Sequence, residues 1–243
     1  MGFLSGAKNK IGLGKKEGNW ILLDEIYNRD GEKSLFGSEY LYLAQRLNLP
    51  IDRGEPNIFI KDEILNDAKS LLESKGVGIK FLVVAPFTTR PQKHWFDEYW
   101  VELFKKLTGS FDDLYVVILG GKNDKIKAEK FVLNDRIKNF AGITDLHKSA
   151  ALISLSCGII GVDTGMTHLG TAFDKDTIAI FGSTVPYLKT HSDNTIVLYH
   201  KLPCSPCKRH PTCDGRYDCM KAIPPETVFN TVVNKFSFIG AKK

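Results

Sequence analysis

The sequence predicts an α/β protein built on a Rossmann-like parallel sheet with helices on both faces. Three observations carry this. From Lys80 onward, short apolar runs alternate in strict turn with helical stretches, the pattern of βαβ units. The first run, Lys80 to Pro86 (KFLVVAP), is continuously apolar, as a strand covered on both faces must be. Polar, glycine-bearing turns then recur at successive strand ends, where an open parallel sheet binds its ligands.

Residues 1–60 read as irregular polar loops around one helical pattern, Phe36 to Leu47, whose Leu41, Leu43, Ala44 and Leu47 fall roughly on one face. A helix over Asp62–Ser74 ends at Gly76, and the Lys80–Pro86 strand follows. Next come a helix at Phe96–Leu107, a strand at Leu114–Leu119, a helix at Lys125–Val132, a short strand near Lys138–Ala141 and a helix at Leu146–Ser156. A strand at Gly158–Val162, a helix opening near Thr167 and a strand at Thr177–Phe181 complete the alternation. Pro224 and Pro225 start a closing helix to Phe236, since proline is tolerated in a first turn. The Rossmann-like fold spans 78–200, and the chain divides into a segment 1–77 and a domain 78–243.

Composition narrows the function classes. The net charge is +5, but Lys and Arg are interleaved with Asp and Glu, which points to anionic small molecules or a membrane surface and away from nucleic acid. No apolar run approaches the roughly 20 residues that cross a bilayer, and the N-terminus lacks a signal-like apolar stretch, so a cytoplasmic location is expected. Gly12 and Gly14 form a Gly-x-Gly with no strand before it and no helix after it, which argues against a nicotinamide cofactor.

Three strand ends carry the candidate chemistry. In Pro86–Trp95 (PFTTRPQKHW), Thr88 and Thr89 offer hydroxyl and backbone donors while Arg90 and Lys93 offer cations, a set suited to a diphosphate; a solvated polar loop is the plainer reading. In Leu119–Asp124 (LGGKND), glycines admit a ligand close to the backbone and Asn123 or Asp124 could accept from a ribose, although a tight turn capping the next helix explains the same residues. In Gly161–Gly170 (GVDTGMTHLG), Asp163 ends a strand and Thr164, Gly165 and Met166 present N–H groups at the positive end of a helix, with His168 in its first turn. Thr144, in the turn AGITD (141–145), and the turn FGSTVP (181–186) lie at further strand ends.

The order of FTTRPQKHW (87–95), LGGKND (119–124), AGITDLHKSAALI (141–153), GVDTGMTHLGTAF (161–173), IFGSTVP (180–186) and CSPCKRHPTCDGRYDCMKAIPPETV (204–228) resembles the ADP-heptose:lipopolysaccharide heptosyltransferases, glycosyltransferase family 9. The resemblance implies a GT-B architecture of two Rossmann-like halves. The donor-binding domain would be complete at 78–243, and 1–77 would be a remnant of the N-terminal, acceptor-side domain. Thr88, Thr89, Lys93, Asp163, Thr164, Gly165 and His168 match the family's donor diphosphate and sugar contacts, Met166 belongs to the same helix start, and Thr144 falls at its adenine-side turn. Asp124 stands where the family carries an acidic ribose ligand, and Lys93 and Asp163 are the implied catalytic residues.

The implied reaction is inverting transfer of heptose from ADP-heptose to a lipid-linked oligosaccharide acceptor, the lipopolysaccharide inner core. No cofactor is required, and any membrane association would be peripheral, at the inner face. The family's general-base carboxylate lies in an N-terminal strand–glycine–helix segment that nothing here resembles. About a hundred residues are therefore expected to be absent, and a non-catalytic or degenerate nucleotide-sugar-binding fragment is the alternative. Cys204, Cys207, Cys213 and Cys219 lie within 16 residues, close enough for a structural zinc, disulfides or free thiols, whereas Cys157 reads as a small core residue.

Overall fold

The computed structural model describes residues 6–14, 21–27, 39–50, 58–184, 192–207 and 209–237. The chain forms two compact units, Met1–Pro56 with Lys189–His191, and Asn57–Leu188 with Ser192–Lys243.

In the first unit, strands β1 (Ile11–Leu13) and β2 (Glu25–Tyr27) pair in parallel, with Gly12 opposite Ile26. This corrects the reading of the first 60 residues as irregular around a single helix. A three-residue strand leaves too short an apolar alternation to detect, and Lys10, paired with Asp24 at 3.2 Å, disguises it with charge. Gly12 lies inside β1, where a Cβ would come 2.5 Å from Leu23 Cδ1, so it serves packing. Helix α1 (Glu39–Arg46) matches most of the expected helix, whose residues 36–38 lie outside the described set.

The second unit begins with α2 (Asp62–Ser74), which stops where Gly76 takes a left-handed φ of 63° and the Val77 N–H returns to the Leu72 carbonyl. Then follow β3 (Phe81–Ala85), α3 (Asp97–Ser110), β4 (Tyr115–Ile118), α4 (Lys125–Glu129), β5 (Ile137–Asn139), α5 (Leu146–Leu155), β6 (Gly158–Val162), α6 (Gly165–Ala172) and β7 (Asp176–Phe181). Strand β8 (Thr195–Tyr199), short helix α7 (Asp218–Lys221) and α8 (Pro225–Lys235) complete the unit. All six strands are parallel in the order β5-β4-β3-β6-β7-β8. Strand β8 was not anticipated, although Thr-Ile-Val-Leu-Tyr is a β-rich run. It forms one edge of the sheet.

The period of two along β3 sorts its side chains between two cores. Leu82 and Val84 face a layer containing Trp100, Leu103, Phe104 and Leu107 of α3 with Val228 and Val232 of α8. Phe81, Val83 and Ala85 face the opposite layer, with Ala68 and Leu72 of α2 and Ala151 and Leu152 of α5. Helix α2 thus covers one face of the six-stranded sheet, and the compact unit starts at Asn57 rather than at residue 78 as the sequence suggested. The physical reason is that α2's apolar stripe needs this sheet to bury it.

Candidate functional site

Strands β3 and β6 are neighbours, yet β3 continues to β4 on one side and β6 to β7 on the other, so a crevice opens beyond their C-terminal ends. Ala85 and Gly161 are in register there. Gly161 leaves room for the buried Thr167, whose hydroxyl donates 2.6 Å to the Val162 carbonyl and ties the first turn of α6 to its own strand. A Cβ at Gly161 would lie 2.3 Å from that hydroxyl.

After β3 the chain turns through a 3-10 segment, Pro91–Lys93. Two contacts fix this turn: the His94 ring Nε2 lies 2.8 Å from the Thr88 carbonyl oxygen, and the Trp95 indole N–H donates 2.8 Å to the Ile223 carbonyl. Trp95 is 1% exposed and packs edge-on against Trp100 and Tyr99. Burial, then the nearby Lys127 charge, lowers the His94 pKa below its ordinary value.

The turn delivers Lys93 across the crevice. Its Nζ lies 2.6 Å from Asp163 Oδ2 and 3.3 Å from the Asp163 carbonyl oxygen. The Thr184 hydroxyl donates 2.6 Å to the same carboxylate oxygen, and His168 Nε2 lies 3.3 Å from Oδ1. Burial alone would raise the Asp163 pKa, but the hydrogen bonds from His168, Lys93 and Thr184, together with the Lys93 charge, outweigh it. They hold the carboxyl far below the usual carboxylate range.

Helix α6 starts beside this cluster with Thr164 in extended conformation as N-cap and no side-chain hydrogen bond capping the first turn. A Cβ at Gly165 would meet nothing within 4 Å, so the helix start faces open space. The space is a cavity of about 790 Å³. Thr88, Thr89, Lys93, Asp124, Thr144, Asp163, Thr164, Gly165 and Met166 all line it. His168 joins through Asp163.

The remaining walls are two turns braced against each other. Gly142, with φ 76°, donates its N–H to the Gly120 carbonyl at 3.0 Å. Asp124 Oδ2 accepts from Gly121 N at 2.8 Å, and the Thr144 and Ser149 hydroxyls lie 2.8 Å apart. Asp145 caps α5 by accepting from Lys148 N at 2.7 Å.

The sequence profile of glycosyltransferase family 9 (heptosyltransferase) matches residues 3–217, most of the chain. The chain belongs to glycosyltransferase family 9.

Within family 9, it is 27% identical over 175 residues to lipopolysaccharide heptosyltransferase 1 of Pseudomonas aeruginosa, covering 70% of this chain and 46% of that protein. It is 26% identical over 204 residues to lipopolysaccharide heptosyltransferase 2 of Salmonella typhimurium, covering 79% and 54%. The chain therefore spans about half the length of these curated relatives. Its fold is that of Escherichia coli ADP-heptose lps heptosyltransferase II (TM-score 0.75, 20% identity, 97% of this chain and 72% of that one). A similar likeness holds to an Escherichia coli heptosyltransferase solved with ADP-2-deoxy-2-fluoro heptose (TM-score 0.60, 18% identity, 88% and 60%). The architecture is α/β of the GT-B type.

Two features of this family 9 site escaped the sequence. Thr184 lay in a recognised strand-end turn, but nothing local marks it as the partner of Asp163, 21 residues away. Asp145, Leu146 and Ser149 line the cavity as the first turn of α5, which the sequence resolved only at Thr144. In the cysteine segment, Cys213 and Cys219 are buried, Cys204 is exposed, and all four thiols are free, as is Cys157. Burial, followed by the other thiols nearby, raises the pKa of Cys219 above its ordinary value. Among the described residues no three His, Cys, Asp or Glu side chains converge to hold a metal ion, so this arrangement gives the zinc reading no support.

Proposed function

We propose that the cavity binds an ADP-sugar through its diphosphate. The chain would serve inverting transfer of heptose from ADP-heptose to a hydroxyl of the lipopolysaccharide inner core. The observation that carries the reading is the Lys93–Asp163 pair, 2.6 Å apart, beside the open N-terminus of α6 at the sheet's switch point. In the transfer, the bond from the anomeric carbon to the diphosphate oxygen breaks as the acceptor oxygen bonds to the opposite face. The acceptor proton passes to a base.

Lys93 and the first-turn N–H groups of Thr164, Gly165 and Met166 take up the charge growing on the departing diphosphate, a task that needs no metal. Asp163 orients Lys93 and His168 and accepts hydrogen bonds from the donor sugar. Its carboxylate already accepts from Lys93, Thr184 and His168, which makes it a weak base, so the acceptor proton is assigned to another group. Thr88 and Thr89 bind phosphate oxygens, Asp124 suits the ribose, and Thr144 suits the adenine. A lipid-linked acceptor calls for peripheral contact with the inner leaflet, and among the described residues no helix is long and apolar enough to cross a membrane.

Calorimetric titration with ADP, and with UDP and GDP as controls, tests the reading. Selective ADP binding is expected, and it should weaken in Lys93→Ala, which leaves the Asp163 carboxylate uncompensated beside the diphosphate. A folded chain that binds none of the three nucleotides overturns it.

A further inference from the structure

Among the described residues, five charged side chains line the cavity: Arg90, Lys93, Asp124, Asp145 and Asp163. With two cations against three carboxylates, a dianionic diphosphate is held by whichever cation is not already committed to a partner. Four of the five are occupied. Lys93 and Asp163 neutralise each other at 2.6 Å, Asp124 accepts from Gly121 N, and Asp145 accepts from Lys148 N. Among the described residues, the Arg90 guanidinium alone of the five has neither a hydrogen-bond nor an ion-pair partner.

The base of Arg90 is well fixed. It is the extended residue (φ −117°, ψ 119°) that opens the Pro91–Lys93 turn, and the Thr88 carbonyl two residues earlier is held by His94. The backbone is anchored while the charged fork is uncommitted, half-buried at the cavity wall. An incoming dianion gains the full attraction of an unpaired cation. To use Lys93 in the same way, it must first draw that cation from a carboxylate sharing a low-dielectric site. A guanidinium also offers two parallel N–H donors to phosphate oxygens, where an ammonium offers a point charge.

We infer that Arg90 is the principal cationic ligand of the donor diphosphate in the ground state, with Lys93 remaining tied to Asp163 until charge develops on the leaving group. The inference rests on the donor-site reading above and assigns the binding charge within it.

Calorimetry with ADP and with adenosine on the wild-type chain, Arg90→Gln and Arg90→Lys tests it. Arg90→Gln should weaken ADP by about 10- to 100-fold, the worth of a charge-assisted hydrogen bond in a sheltered site, and leave adenosine within about twofold. Arg90→Lys should recover part of the loss, and the salt dependence of ADP binding should flatten in Arg90→Gln. Wild-type-like ADP affinity in Arg90→Gln overturns the inference, as does an equal loss for ADP and adenosine, which would mark a structural role. A wild-type chain that binds no ADP overturns the donor-site reading itself, and this inference with it.

Discussion

Lys93 and Asp163, 70 residues apart, meet across the switch point of the sheet with Nζ 2.6 Å from Oδ2, and the Thr184 hydroxyl donates to that same oxygen. Three strand ends, those of β3, β6 and β7, thus converge on one carboxylate. The contact is sheltered, with side-chain exposures of 16% and 13%, so each group depends on the other to offset its lost hydration.

Asp163→Asn should therefore destabilise the chain by about 1–3 kcal/mol at neutral pH, because Lys93 is left charged without its counter-ion. Folded Asp163 holds its proton less tightly than an unfolded aspartate does. Its contribution is complete above about pH 4 and is lost as the pH falls below that value. Denaturant melts of both forms from neutral to acid pH check this: the gap should narrow only on the acid side. A gap independent of pH would contradict the assignment.

Thr184→Val keeps the shape and removes the 2.6 Å donor. A loss of about 0.5–1.5 kcal/mol is expected, with Thr184→Ser restoring most of it. Denaturant midpoints of the two variants measure it, and equal stabilities would mean that the hydroxyl does not support Asp163.

Gly161→Ala brings a methyl 2.3 Å from the Thr167 hydroxyl and 3.1 Å from Ala85 Cβ and O. The start of α6 must shift, at a cost of about 1–3 kcal/mol, and ADP affinity should fall with it. Gly165→Ala is the contrast, since its methyl meets nothing within 4 Å. Thermal melts should show it as stable as the wild type or slightly more so, by up to about 1 kcal/mol, from helix propensity.

Trp95→Phe deletes the indole donor to the Ile223 carbonyl at a position 1% exposed. The orphaned carbonyl should cost about 1–3 kcal/mol. Because this bond anchors the turn that carries Lys93, calorimetry should also show weaker ADP binding; unchanged affinity would separate the anchor from the site.

Elements with a local signature were legible. Asp62–Ser74 and Gly158–Val162 have the same bounds in the structure as in the sequence reading, the first helix stopped by Gly76 and the second run apolar throughout. Elements whose pattern is short or mixed were not: β1 and β2 have three residues each, and the expected helix Lys125–Val132 stops at Glu129. At the site, the strand-end residues stood out because a strand followed by Asp-Thr-Gly and a helix is a local pattern. Which of them carry free charge was not visible, since that depends on partners distant in the chain.

By itself, the sequence determined the alternation of strands and helices, the apolar faces to be buried and the polar turns at the strand ends, all written in contacts a few residues apart. Only the tertiary structure decided that β3 lies beside β6, that α2 belongs to the six-stranded sheet, and that Lys93 pairs with Asp163 while Arg90 has no such partner among the described residues. Strand order follows from how whole layers pack and from the direction each crossover takes, and pairing of charges follows from strand order. Neither is encoded in any local stretch of residues.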